Sequence, residues 1–109
     1  MALIPTQVLD VGSGAAPTFA AAAAGDTAEV DPANTLIVKN GSGASVTVTI
    51  ATPGNLPSGD AYPDKAYTIP ASQERWIPLI RDFSDPTISG QAAVSYSATA
   101  SVTRAVVRR

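Results

Sequence analysis

The chain has no cysteine and no histidine among its 109 residues. Without cysteine there is no disulfide framework, no thiolate nucleophile and no cysteine-rich zinc site. Without histidine the commonest general base near neutral pH and the commonest transition-metal ligand are both missing. Aromatic residues are scarce, at one Trp, three Tyr and two Phe. Much of the apolar content is alanine, so a core must be assembled from Val, Ile, Leu and a few rings, an inventory that suits two packed sheets. No run approaches the roughly 20 apolar residues of a membrane-spanning helix. The opening Met-Ala-Leu-Ile-Pro has neither the basic start nor the apolar stretch of a signal peptide. Synthesis and retention in the cytoplasm of the producing cell is the expectation.

What is present is alternation. From Ala92 to Val102 the even positions are Ala, Val, Tyr, Ala, Ala and Val, and the odd positions carry mainly Ser and Thr. A period of two places one set on each face of a sheet. Arg104-Ala-Val-Val-Arg-Arg then ends the chain with charge. Thr6–Val11 reads as a short strand and Ala20–Ala24 as a small-residue strand. Thr35–Lys39 and Ser45–Ile50 read as a hairpin closed by Asn40-Gly-Ser-Gly43, a turn of residues that tolerate positive φ. Residues 51–64, with three prolines and two glycines, read as a surface loop. Ala66–Ile69 and Arg75–Ile80 are further strands, and Pro78, which cannot donate to a ladder, places the latter at an edge or a bulge. The last stretch is one long strand or two strands broken near Ala98–Ser101. The sum is an all-β chain, residues 1–109 forming one antiparallel β-sandwich of about seven short strands, immunoglobulin-like or jelly-roll-like. Its termini, 1–5 and 105–109, are free to extend.

Charge is uneven. Residues 1–64 hold six acids and one base, net −5, whereas residues 65–109 hold six bases and three acids, net +3. Such asymmetry can orient one copy toward another.

Motifs that would carry chemistry are weak. Gly12-Ser-Gly14 has Pro17 where a dinucleotide fingerprint needs its third glycine, and no phosphate-loop Gly-Lys-Ser/Thr follows. Asp60, Asp64, Asp82 and Asp85 lie in two loops but match no calcium-loop spacing. Asn40-Gly-Ser42 is formally a glycosylation sequon, yet it reads as a turn. No catalytic residue, cofactor site or metal site is assigned, and the chain is expected not to be an enzyme. Arg104, Arg108 and Arg109 are candidate assembly contacts, with Leu3 and Ile4 at the other end; the plain alternative for the arginines is a solvated terminus. Overall acidity and the lack of a basic face with exposed aromatics argue against nucleic acid. Trp76 has two readings, core packing or, if exposed beside polar groups, a sugar-binding platform, with Tyr62 as a second contact.

Four segments, taken in order, resemble a known group. They are Phe19-Ala-Ala-Ala-Ala-Ala-Gly-Asp-Thr27, Leu36 to Ile50, Glu74-Arg-Trp-Ile-Pro-Leu79 and Val102-Thr-Arg-Ala-Val-Val107. The chain resembles small structural proteins of tailed bacteriophages, especially actinobacterial ones, that are encoded beside the major capsid protein. The resemblance implies a capsid decoration (cement) or minor capsid protein on the outside of the virion. Its partners would be the major capsid protein and copies of itself, often as trimers. A head–tail connector or tail protein is the nearest alternative, and a carbohydrate-binding or adhesion module is the alternative from another class. The shared motifs are turns and strands, so no site residue transfers.

Overall fold

The computed structural model describes residues 2–8, 17–54, 56–88 and 90–108. Gly12–Gly14, the second half of the expected 6–11 strand, and Arg109 lie outside them. The described residues form ten strands: β1 (Ala2–Leu3), β2 (Thr6–Val8), β3 (Ala20–Ala21), β4 (Asp26–Glu29), β5 (Asn34–Asn40), β6 (Val46–Ile50), β7 (Lys65–Ile69), β8 (Glu74–Pro78), β9 (Gln91–Tyr96) and β10 (Val102–Arg108). Two short 3-10 turns, Arg81–Phe83 and Pro86–Ile88, lie between β8 and β9.

Four antiparallel pairs are nested one inside the next: β6 with β7, β5 with β8, β4 with β9, and β3 with β10. The chain is thus one long hairpin, folded back at the 51–64 loop and rolled up. Rolling brings β9 beside β6 and β10 beside β5, again antiparallel. Two sheets result, β1-β4-β9-β6-β7 and β2-β10-β5-β8, with β3 also on β10. Nested pairs shared alternately between two sheets are the jelly-roll arrangement, and this settles the expected sandwich in favour of that form.

Alternation decides which faces meet. In β6, Val46, Val48 and Ile50 are buried while Thr47 and Thr49 are only partly so. They pack with Leu36, Val38, Ile69, Ile77, Leu79, Phe83, Ala92, Val94, Val102 and Val106 in one core between the sheets. The central strands β5 and β10 are buried on both faces, as Ile37, Ala105 and Val107 show on the side away from that core. Strands with neighbours on both edges and cover on both faces lose the clean alternation of half-exposed ones.

Several expectations are corrected. The Thr35–Lys39 and Ser45–Ile50 strands are not a hairpin: β5 and β6 belong to different sheets. Asn40 turns the chain between them. Its buried amide donates to the carbonyls of Ala44, Ile69 and Pro70 at 2.8, 3.0 and 3.3 Å, and its Oδ1 accepts from the Ser42 N–H and hydroxyl. Those bonds tie the corner to the end of β7 and occupy the amide that a glycan would need. The final alternating stretch, read as one strand or as two, is two strands in two sheets, separated, as the second reading has it, by an exposed turn that includes Ala98 and Ala100. Strands exceed the expected seven because β1 and β4 carry no alternation to read and the final stretch divides into β9 and β10.

Neither end of the described chain is a loose arm. β1 runs parallel to β4 in one sheet and β2 parallel to β10 in the other. Ile4, at the crossing, is 1% exposed, and its N–H donates to the Thr27 carbonyl at 2.8 Å. At the other end, residues 106–108 pair with β5 on one side and β2 on the other, which leaves no edge there for a neighbour's strand.

Leu36 is fully buried on the core side of β5. Leu36→Ala is expected to lower unfolding free energy by about 2–5 kcal/mol, and Thr47→Ala on the outer face of β6 by no more than about 0.5 kcal/mol. Urea denaturation followed by circular dichroism measures both.

Candidate functional site

Three features stand out from the packed frame: a buried polar cluster between the sheets, an apolar edge, and a cleft at the loop end.

The cluster centres on Asp26, the first residue of β4. It faces inward and is 1% exposed. Its Oδ2 accepts from Arg104 Nε at 2.8 Å, from the Tyr96 hydroxyl at 2.8 Å and from the Ala23 N–H at 3.2 Å, while Oδ1 accepts from Arg104 Nη2 at 3.3 Å. Asp26 and Tyr96 belong to one sheet and Arg104 to the other. The expectation that Arg104 is an assembly contact is therefore overturned. The alternation does not stop at position 104: Val102, Arg104 and Val106 share the inward register, which delivers the guanidinium to a buried carboxylate. That register was the signal available in the sequence. Of the remaining assembly candidates, Ile4 is core, Leu3 is 44% exposed, and Arg108 is half-buried at the end of β10.

The electrostatics follow from the geometry. Desolvation pushes the Asp26 carboxyl up. The hydrogen bonds from Arg104, Tyr96 and the Ala23 N–H, with the attraction of the Arg104 charge, outweigh it and hold the carboxyl below its ordinary value of 3.8. Burial, then the bond to the Asp26 carboxylate, pushes the Tyr96 phenol far above its ordinary 10.0, so it stays a neutral donor. Nothing here is poised to exchange a proton near neutral pH, and the arrangement is a clamp between sheets.

The apolar edge is β8. It pairs only with β5, so it ends its sheet, as Pro78 suggests. Ile77 and Leu79 point into the core at 0% and 1% exposure. Trp76, Pro78 and Ile80 fall on the other side. Trp76 is 63% exposed and Ile80 46%. The reading of Trp76 as core is corrected, because Ile77 and Leu79 hold the inward positions and parity sends the indole out. Its Nε1–H donates to Glu74 Oε2 at 2.8 Å. The Asn40 N–H donates to the Gln73 carbonyl and the Leu79 N–H to the Asn34 carbonyl. By the alternation of an antiparallel ladder, the main-chain groups of Glu74 and Trp76 and the carbonyl of Pro78 then face away from β5, unpaired by any strand.

The cleft, of about 440 Å³, is lined by Thr52, Pro53, Tyr62, Arg81, Asp82 and Ser84. Tyr62, 40% exposed, is thus on the concavity expected of a ligand contact, but Trp76 is not among its lining residues. The two aromatic candidates belong to separate features. From the sequence Asp82 is weighed only as one of four loop carboxylates and Arg81 only as a charge partner for them, so their place on this cleft is new. Among the described residues, no group of three or more acidic side chains is placed to hold a metal ion, so Asp60, Asp64, Asp82 and Asp85 are not brought together.

Asp26→Asn removes the charge that Arg104 faces and is expected to cost about 3–5 kcal/mol at neutral pH. A lowered folded-state value means that Asp26 contributes its full stabilisation above about pH 3.8 and loses it as the pH falls through that lowered value. The raised Tyr96 value acts oppositely: its contribution is complete below about pH 10 and disappears as the pH climbs beyond it. Urea titrations across pH check both arms. Asp26→Asn should flatten the acid limb, and Tyr96→Phe should blunt the alkaline one.

No protein-family model matches the chain, and no curated protein or solved structure matches it.

Proposed function

We propose that this chain is a structural protein of a tailed-bacteriophage virion, a decoration protein that binds the assembled major capsid shell from outside and stabilises it. The observation that carries the reading is the edge strand β8, with Trp76, Pro78 and Ile80 standing out in a row beside unpaired main-chain groups. Glu74, Arg75 and Pro78 limit plain strand addition at this edge, but an exposed apolar row that begins with a tryptophan is the chemistry of a protein-binding surface. Two further considerations agree with it. The resemblance in Phe19–Thr27, Leu36–Ile50, Glu74–Leu79 and Val102–Val107 points to the same group of proteins. Jelly rolls also recur among viral capsid domains, though lectins share them, so the fold alone carries no function.

In this reading Trp76 inserts into an apolar recess of the shell, and Pro78 and Ile80 extend the contact along the edge. Glu74 holds the indole through its Nε1–H, which reduces the side-chain freedom lost on docking. Many copies, each bound modestly, clamp the shell by simultaneous attachment. Leu3, exposed beside β4 on the opposite edge of the other sheet, is a second candidate contact, toward a neighbouring copy.

Purified protein added to capsid shells that lack it tests the proposal. Saturating attachment is expected at a copy number in the hundreds by quantitative mass spectrometry, with a raised shell disruption temperature. A ring-like stoichiometry of about a dozen would replace decoration by a connector role. Trp76→Ala is expected to weaken attachment by about 30-fold or more while leaving the protein's own unfolding transition nearly unchanged, because the indole is outside the core. Attachment unaltered in Trp76→Ala would remove β8 as the contact.

A further inference from the structure

We infer that the cleft between the 51–64 loop and the Arg81–Phe83 turn is a binding site for a neutral carbohydrate, separate from the β8 edge. Its volume, about 440 Å³, lies within the range of small-ligand clefts, roughly 300–1,000 Å³. The chemistry of its walls narrows the ligand. Arg81 supplies a fork of donors and Asp82, its neighbour in sequence, a pair of acceptors. Among the described residues neither is held in an ion pair or a side-chain hydrogen bond. Their charges cancel, so the cleft selects neither an anion nor a cation. What suits adjacent donors and acceptors of balanced charge is a ligand whose neighbouring hydroxyls both accept and donate. The exposed Tyr62 ring adds an apolar surface for the C–H face of a sugar ring. The Ser84 hydroxyl already donates to the Gly90 carbonyl at 2.9 Å, which leaves its oxygen as an acceptor.

The cleft is built rather than incidental. The Thr52 N–H donates to Asp64 Oδ1 at 3.1 Å and the Leu56 N–H to the Asp60 carbonyl at 2.7 Å, so the loop is braced by its own bonds. The Tyr62 N–H donates to the Gly54 carbonyl at 3.3 Å. Gly54 has φ +96°, and a Cβ there would lie 3.4 Å from Tyr62 Cε2. The positive φ is what calls for glycine here, while the Tyr62 ring lies at ordinary contact distance from this turn. On the opposite wall Phe83 is 4% exposed, and it plugs the turn that carries Arg81 and Asp82 into the core. Both walls are therefore set before a ligand arrives, which limits the ordering cost of binding.

The test is a titration of isotopically labelled protein, followed by amide chemical shifts. The probes are a panel of neutral trisaccharides of glucose, galactose, mannose and arabinose, with sodium sulfate run in parallel. Saturable shifts at Thr52, Tyr62, Arg81, Asp82 and Ser84 with at least one saccharide are expected. Tyr62→Ala should weaken that binding about tenfold or more and Tyr62→Phe should keep it within about threefold, since the ring and not the hydroxyl makes the stacking surface. Asp82→Ala, an exposed change that leaves the loop intact, should also cost about tenfold. Trp76→Ala should leave saccharide binding unchanged, and so separates this site from the capsid-binding edge. Absence of saturable binding to every saccharide, shifts centred on Trp76, or sulfate binding more tightly than any sugar would each overturn the inference.

Discussion

Among the described residues the two sheets meet through one buried charge pair. The apolar contacts around it would tolerate sliding by a residue or a tilt of a few degrees, because methyl groups impose no direction, and the amides of Asn34 and Asn40 tie the sheets only at the two ends of β5. The Asp26 carboxylate does impose one. It takes two bonds from a guanidinium that can approach only in its plane, a third from the Tyr96 hydroxyl, and a fourth from the main chain at Ala23. Buried ion pairs often add little net stability over a well-packed apolar substitute, because desolvation offsets the attraction. What this one contributes is register. Slipping β10 by one residue along β5 would turn Arg104 to the outer face and leave Asp26 buried and unpaired, at a cost no methyl contact could return.

That clamp frees the perimeter to vary. The core is made of Val, Ile and Leu with Phe83 as its aromatic member, while the larger rings Trp76 and Tyr62 lie on the surface. A small domain that spends its only tryptophan on an exposed edge has placed its largest apolar area where a partner can cover it. The two exposed rings are held in different ways, Trp76 by a carboxylate on its own strand and Tyr62 through its main-chain bond to Gly54. Each is oriented from one side and open on another. The proposed shell contact and the proposed glycan cleft both draw on this division, with a rigid interior shared by the two.

How much was legible in the sequence follows from what alternation can and cannot encode. Val46-Thr-Val-Thr-Ile50 and Ala92–Tyr96 were legible because each has one buried and one open face. Leu36-Ile-Val38 was legible as strand but not as a central one, since burial on both faces erases the period. The turn residues Asn40-Gly-Ser-Gly43 signal a reversal, and they do reverse the chain. Local chemistry does not say whether the reversed strand pairs with its predecessor or crosses to the other sheet. Here the choice is made by Asn40 reaching Ile69 and Pro70, 29 and 30 residues away. Arg104 was misread because charge at a chain end suggests solvent, although its even position said otherwise. Trp76 was left open between core and exposed platform because a lone indole among apolar neighbours fits either, although Ile77 and Leu79 claim the inward parity. The cleft was half legible: Tyr62 stood out as an aromatic in a loop, but its convergence with Arg81 and Asp82 depends on a fold-back that no local pattern records.

The nesting of the hairpins also sets an order of assembly. The innermost pair, β6 with β7, closes a loop of modest length, and each further pair must wait for the one inside it to bring its ends near. Asp26 and Arg104 are 78 residues apart and belong to the outer pairs. The charge pair that fixes the register is thus expected to form late in folding, when few alternatives remain. Until then the apolar faces of both sheets are present without the contact that aligns them, and the chain folds at the slow pace of topologies built on distant pairings. A protein of this design is locked rather than guided into its final form.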